Sequence, residues 1–76
     1  MRRIHLDVAG YNQRAVAAYR ACGFAETSRQ WVQLDSRTDF SALLGDPKYA
    51  WLAQWVRVEA GITRVLVLAM EARQHV

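Results

Sequence analysis

The stretch from Asn12 to Phe24, NQRAVAAYRACGF, specifies a short helix together with its beginning and its end. Asn12 is a good N-cap, because its side-chain oxygen can accept a hydrogen bond from a free backbone N–H of the first turn. Gly23 suits the left-handed backbone position that ends a helix, and Phe24 can then fold back onto the last turn. An apolar stripe recurs at helical spacing between these ends and comprises Ala15, Val16, Tyr19 and Cys22. We therefore expect a helix from Asn12 to Cys22 that packs one face on the rest of the chain.

Strands are expected on both sides of this helix and again near the end of the chain. The segment Ile4–Val8 alternates apolar and polar residues, as a half-buried strand does, and a second strand is expected over Ala25–Leu34. The segment Ile62–Met70 contains an unbroken apolar run, which is typical of a strand buried on both faces in the middle of a sheet. The residues that follow, Glu71–Val76, are expected to form a polar tail.

The segment 38–60 is predicted to be helical. Thr38 is expected to cap a short turn that runs to Leu44 and ends at Gly45, after a turn at Asp35-Ser36-Arg37. A second helix should begin at Asp46-Pro47, with Asp as N-cap and Pro at the first helical position, and end at Gly61. Its apolar face would carry Trp51, Trp55 and Val58, either as core or as a recognition surface. The predicted fold is therefore α+β, with a three-stranded mixed sheet and two to three helices in a single domain, 1–76.

Composition excludes several classes of protein. A chain of 76 residues with 53% hydrophobic residues forms one packed domain whose core is small. Its net charge of +3 is scattered, with no basic run longer than Arg2-Arg3, which argues against nucleic-acid binding. A single cysteine cannot form an internal disulfide or a cysteine-based metal site. No secretory signal and no apolar run long enough to span a bilayer is visible, so a cytoplasmic protein is expected.

One pattern resembles a known family. Leu6-x-Val8, followed by Asn12-x-x-Ala15-x-x-x-Tyr19-x-x-x-Gly23-Phe24, resembles the late strand–helix motif of the GNAT superfamily of acetyl-CoA-dependent N-acyltransferases, and the resemblance covers residues 4–34. It implies that the last strand inserts between the first two, antiparallel to both, which leaves Ile4–Val8 at an edge. In the family an earlier strand covers that edge, and a Gly-rich loop after it binds the pyrophosphate. Because the four glycines here are isolated, the chain is similar to the C-terminal part of such a domain.

The resemblance also implies roles for three residues of the helix, Asn12, Ala15 and Tyr19, and the charge of Arg14 in the first turn beside Asn12 suggests a fourth. Tyr19 would be the catalytic acid that protonates the thiolate leaving group, since a phenol can donate a proton when held within reach of the sulfur. Asn12, Arg14 and Ala15 would contact acetyl-CoA or another acyl-CoA. Each role has a structural alternative: Tyr19 can simply pack on the sheet, and Asn12 can be a helix cap alone. His5 and Asp7 could serve as a general base, or could be a solvated strand face.

Two functions follow as expectations. The first is a GNAT-like N-acetyltransferase segment that transfers an acetyl group directly from acetyl-CoA to an amine, without a metal. It would be completed by a homodimer or by a complementary chain at the Ile4–Val8 edge, because an unprotected edge strand invites pairing. The alternative is a non-catalytic remnant that acts as a small protein-interaction or dimerisation module.

Overall fold

The computed structural model describes residues 2–35 and 39–74, which form four strands and three short helices. The elements in chain order are β1 (Arg2–Ala9), α1 (Gln13–Ala21), β2 (Ala25–Gln33), α2 (Phe40–Leu44), a 3₁₀ helix (Pro47–Gln54), β3 (Val56–Glu59) and β4 (Ile62–Gln74). The predicted bounds of β1, α1 and β2 are confirmed to within two residues at each end.

The sheet has β4 at its centre. The strand order is β1-β4-β2, and β3 also pairs with β4. Each of these pairs is antiparallel, so β1 and β2 run parallel to each other on opposite sides of β4. The expected insertion of the last strand between the first two is confirmed. The expected three-stranded mixed sheet is wrong, since a fourth strand is present and every neighbouring pair is antiparallel.

The fourth strand, β3, replaces the second half of the helix that was expected from Asp46-Pro47 to Gly61. Helical structure ends at Gln54, and Val56–Glu59 then pairs with Ile62–Val65. The hairpin turn consists of Ala60 and Gly61, both with positive φ (52° and 77°), as tight two-residue hairpin turns require. Val56 and Val58 both lie on the inner face of this strand. Inward-facing residues therefore recur every two residues, as in a strand, and not every 3.6 residues, as in a helix.

One side of β4 is shared by two strands that meet at Leu66. The Gly10 N–H donates to the Leu66 carbonyl oxygen (2.8 Å), and the Leu66 N–H donates to the Trp55 carbonyl oxygen (2.8 Å). Beyond Leu66 towards the C-terminus the partner is β1, and before it the partner is β3. A Cβ atom at position 10 would overlap the Trp55 ring, so this junction requires glycine.

Two hydrophobic clusters cover the two faces of β4. On the first face α1 packs over a cluster of four buried residues: Val8, Val16, Leu68 and Met70. On the second face α2 and the 3₁₀ helix pack over another four: Phe40, Leu52, Val56 and Val65. Because alternate residues of β4 enter different clusters, the strand needs the unbroken apolar run that its sequence shows.

Four further expectations are corrected or lie beyond the described residues. β4 continues to Gln74, so Glu71 belongs to the sheet and not to a polar tail. Trp51 is exposed whereas Trp55 is half-buried and contacts both clusters, so the two do not share one buried helical face.

Asp39 caps α2, its side chain accepting from the Ala42 N–H at 3.2 Å. Thr38 and two residues of the predicted turn, Ser36 and Arg37, lie outside the described residues.

Within the described ranges, each helix is too short or too polar to cross a lipid bilayer.

Candidate functional site

The beginning of α1 is set by Asn12. Its Oδ1 atom accepts a hydrogen bond from the Ala15 N–H at 3.2 Å, while its backbone oxygen accepts from the Val16 N–H at 3.1 Å. The cap predicted from the sequence is therefore confirmed. Because an amide oxygen has two lone pairs and the amide nitrogen two donors, the exposed Asn12 side chain keeps capacity for a ligand beyond its capping bond.

The end of α1 fixes the position of Tyr19. The Gly23 N–H donates to Arg20 O and the Phe24 N–H donates to Tyr19 O, both at 3.0 Å, and Gly23 adopts φ +93°. This is the hydrogen-bond pattern of a Schellman motif, in which the residue after the glycine usually contacts the last turn. The Phe24 and Tyr19 rings meet edge to face, with centroids 5.8 Å apart. Tyr19 is thus held by backbone geometry as well as by packing.

The predicted site residues divide between the two sides of α1. Tyr19 and Ala15 are half-buried and pack against the first cluster, next to Leu6 of β1. Asn12, Ala15 and Tyr19 are spaced i, i+3 and i+7, so they follow one another along one face of the helix. Arg14 is exposed and extends from the first turn outside this row. The structure therefore places Ala15 and Tyr19 on the side of α1 that adjoins the sheet, with the exposed Asn12 before them at the start of the helix.

The two candidate bases are not on this side. His5 and Asp7 alternate with Leu6 and Val8 along β1, and it is Leu6 and Val8 that face α1. His5 and Asp7 consequently lie on the opposite face of the sheet from Tyr19. The sheet itself separates the proposed acid from these two candidate bases within one chain.

A carboxylate on β4 occupies that opposite face. Glu71 lies across from His5 in the β1–β4 register, with its Oε2 3.7 Å from His5 Nδ1 and its Oε1 3.4 Å from Arg3 Nε. An open cleft of about 460 Å³ adjoins this group and is lined by Arg3, Gly23, Ala25, Thr27, Glu71, Ala72 and Arg73. None of the four predicted site residues lines this cleft. Glu71 was not among the predicted site residues, because its partners depend on the pairing of two strands that are far apart in the sequence.

A second polar group lies on β2 near the last turn of α1, where Arg20 Nη2 is 3.8 Å from Glu26 Oε2. The Glu26 carboxylate accepts from both Arg29 Nε and Arg29 Nη2, and this hydrogen bonding lowers the pKa of Glu26 below its usual value. The Arg29 guanidinium lies 5.4 Å from the Trp55 ring centroid, and the Arg57 guanidinium lies 4.4 Å from that of Trp31. In both contacts a guanidinium lies over an aromatic ring, whose face attracts a cation.

In residues 2–35 and 39–74, no three His, Cys, Asp or Glu side chains are grouped closely enough to hold a metal ion.

Comparisons of the chain with protein-family models, with curated proteins and with solved structures give no significant match.

Proposed function

We propose that this chain is the C-terminal segment of a GNAT-type N-acyltransferase, in which an acetyl group passes directly from acetyl-CoA to an amine. The supporting observation is the position of β4 between β1 and β2, antiparallel to both, with α1 packed on β1 and β4. Strands that follow one another in sequence are usually neighbours in a sheet, so this inserted arrangement is not the default. The inserted position of β4 depends on pairing between strands far apart in the sequence, whereas the motif that suggested the family lies within one local stretch. The strand order therefore supports the resemblance independently of the motif.

In this reaction Tyr19 would act as the general acid. The amine nitrogen attacks the thioester carbonyl carbon, and the carbon–sulfur bond breaks when the tetrahedral intermediate collapses. The sulfur leaves with the bonding electrons and takes the proton of the Tyr19 hydroxyl, while the nitrogen gives up a proton to a base. Tyr19 suits this step because Phe24 and the helix end hold its ring in one place.

Three neighbouring residues would bind the cofactor. Asn12 would direct its remaining amide donors to the pantetheine arm, and the small side chain of Ala15 would leave space for that arm beside the helix. The exposed Arg14 guanidinium would pair with the phosphates, for which its planar donors are well suited. The Gly-rich loop that the family uses for the pyrophosphate has no counterpart among these 76 residues, so in this proposal the remaining cofactor contacts come from a second copy, another chain or a further segment. A cytoplasmic location is part of this proposal.

A second candidate function is a non-catalytic dimerisation or interaction module. It is favoured by β1, which pairs with β4 along one side and lies at the edge of the strand order. Edge strands offer a row of backbone donors and acceptors to another chain. This alternative predicts no affinity for acetyl-CoA.

Calorimetric titration with acetyl-CoA separates the two functions. The acyltransferase proposal predicts saturable binding, and release of free CoA when small amines are supplied. Tyr19→Phe should keep the affinity within about twofold and lower the release of CoA by about a hundredfold or more, the usual size of a general-acid contribution. Tyr49→Phe is the matched control, because Tyr49 packs in the second cluster, on the other face of the sheet, and should change neither quantity.

Absence of binding at millimolar acetyl-CoA would contradict the acyltransferase proposal and favour the interaction module. Equal loss of activity in the Tyr19 and Tyr49 variants would contradict the specific role of Tyr19.

A further inference from the structure

β1 is the strand of this sheet best able to pair with another chain. It comprises eight residues in continuous register with β4. β2, at the opposite edge, has a register shift between Glu26 and Ser28, and such irregularities twist an edge away from new partners. β3 has only four residues. The outer side of β1 is therefore the longest regular edge among the described residues.

The direction of the free backbone groups on β1 follows from one hydrogen bond. The Gly10 N–H points towards β4, where it donates to Leu66 O. Because the backbone groups of successive residues in a strand point to opposite sides, those of Val8, Leu6 and Ile4 also point towards β4. The N–H and C=O groups of Asp7, His5 and Arg3 consequently point outwards, and a new strand would bond to these residues.

The side chains of the same three residues form a self-complementary series. Arg3, His5 and Asp7 share the face of the sheet that is free of α1, all three are exposed, and a cation and an anion stand at equal distances on either side of His5. Arg3 Nε also lies 3.4 Å from Glu71 Oε1 of its own chain, so in the pair its guanidinium would lie between two carboxylates. In an antiparallel pair of two β1 strands with His5 facing His5, each Arg3 faces the Asp7 of the other copy. Opposite charges directly across a strand pair stabilise it, and like charges destabilise it.

We propose that two copies of this chain pair through β1 in this register, with a twofold axis at His5 and two reciprocal Arg3–Asp7 pairs. On the α1 face the same register sets Ile4 opposite Leu6 of the second copy, which covers the Ile4 side chain that is 40% exposed in the single chain. A shift of two residues, to an axis at Leu6, would lose both Arg3–Asp7 pairs, and a shift of four residues, to an axis at Asp7, would set Asp7 against Asp7.

The twofold axis of such a pair stands perpendicular to the sheet, so both α1 helices lie on the same face of one continuous eight-stranded sheet. The second α1 would then form a wall beside the row Asn12, Ala15 and Tyr19. This last step rests on the proposed acyltransferase function, whereas the pairing itself does not. It is tested without acetyl-CoA, so that failure of the dimer and failure of the acyltransferase proposal are distinguishable.

Sedimentation equilibrium at micromolar concentration tests the pairing and its charges. The unmodified chain should be dimeric. Arg3→Asp and Asp7→Arg should each weaken the dimer by about tenfold or more, because each creates two like-charge pairs, and the double variant should restore it. Arg73→Asp is the control: it makes the same change in net charge on the same face, at the residue opposite Arg3 on the inner strand, and should leave the dimer intact.

Cysteine cross-linking tests the register directly, in a Cys22→Ser background that removes the exposed native thiol. His5→Cys would set the two cysteines opposite each other with Cα atoms about 5.5 Å apart, within the range that a disulfide can bridge. Asp7→Cys would leave them about 14 Å apart along the strands, since each position lies opposite Arg3 of the other copy. Oxidation should therefore yield a covalent dimer from the first variant and not from the second.

A monomeric chain at micromolar concentration would overturn the proposal, as would a charge-swapped double variant that remains as weak as the single ones. Cross-linking of Leu6→Cys in place of His5→Cys would overturn the register. Circular dichroism of each variant confirms that a lost dimer does not reflect a lost fold.

Discussion

The backbone of Gly10 lies against the indole ring of Trp55, at the point where β1 and β3 meet along one side of β4. The position that a Cβ would take at residue 10 is already occupied by carbon atoms of that ring. The contact joins the end of β1 to the beginning of β3, and Trp55 also packs against both hydrophobic clusters. One glycine and one tryptophan thus determine how closely the two strands approach.

Gly10→Ala should lower the free energy of unfolding by about 1–3 kcal/mol, because an added methyl group in a packed site forces the backbone or the ring to move. Gly45→Ala is the matched control. Residue 45 has an ordinary helical φ of −81°, and its nearest neighbours lie 3.6 Å and more from an added Cβ. Urea denaturation measures both. In a Trp55→Ala background the cost of Gly10→Ala should shrink, and an unchanged cost there would refute the contact as its cause.

Gly23→Ala should also destabilise the chain, but for a different reason. An added Cβ at residue 23 meets no atom within 4 Å, so the cost comes from holding a side-chain-bearing residue at φ +93° and should be about 1–2 kcal/mol. Gly23→Asn should cost less, since asparagine tolerates left-handed conformations best after glycine. Thermal unfolding of the two variants gives the comparison, and equal losses would argue for a packing effect instead.

Ala60→Asn should stabilise the chain by about 0.5–1 kcal/mol. Ala60 is a non-glycine residue with positive φ (52°) in the described structure, and it precedes Gly61 in a two-residue turn where Asn-Gly is the favoured pair. The opposite result is expected if residues 46–61 formed the helix that their apolar spacing suggests, because asparagine is a poor helix former. The sign of the change in urea midpoint therefore tests β3 itself.

Arg29→Gln should raise the pKa of Glu26 towards the ordinary value of 4.5, because the hydrogen bond from Arg29 is the main cause of its depression. Since the folded-state pKa lies below the unfolded one, Glu26 stabilises the fold above about pH 4.5, and this contribution is lost as the pH falls through the folded-state pKa. Side-chain carbon chemical shifts measured by NMR report the titration. Arg20→Gln is the control, with a smaller effect expected because Arg20 lies 3.8 Å from the carboxylate.

Local signals account for the part of the fold that the sequence predicts well. Asn12, Gly23 and Phe24 act on backbone groups within a few residues of themselves, so both ends of α1 could be predicted from the order of residues alone. The central position of β4 was predicted for a similar reason, because its unbroken apolar run requires cover on both faces.

The helix predicted over residues 46–61 was wrong in its second half because the apolar residues there match both the helical and the strand spacing. Trp51, Trp55 and Val58 match a helical spacing, whereas Val56 and Val58 match a strand, and only pairing with β4 decides between the two. The same limit applies to the candidate site. The row of Asn12, Ala15 and Tyr19 follows from spacing within one helix, but the contacts of Glu71 with Arg3 and His5 follow from the register of β1 against β4.

Every strand pairing in residues 2–35 and 39–74 includes β4, since β1, β2 and β3 pair with it and not with one another. β4 is also the last of the four strands to be synthesised. While a ribosome is still making it, β1 and β2 lack the strand with which both pair in the described structure, and Val8 and Val16 lack the two β4 residues of the first cluster, Leu68 and Met70. Assembly of this sheet must therefore wait until translation has delivered β4, and the nascent chain passes that interval with its strand edges open to chaperones or to other copies of itself.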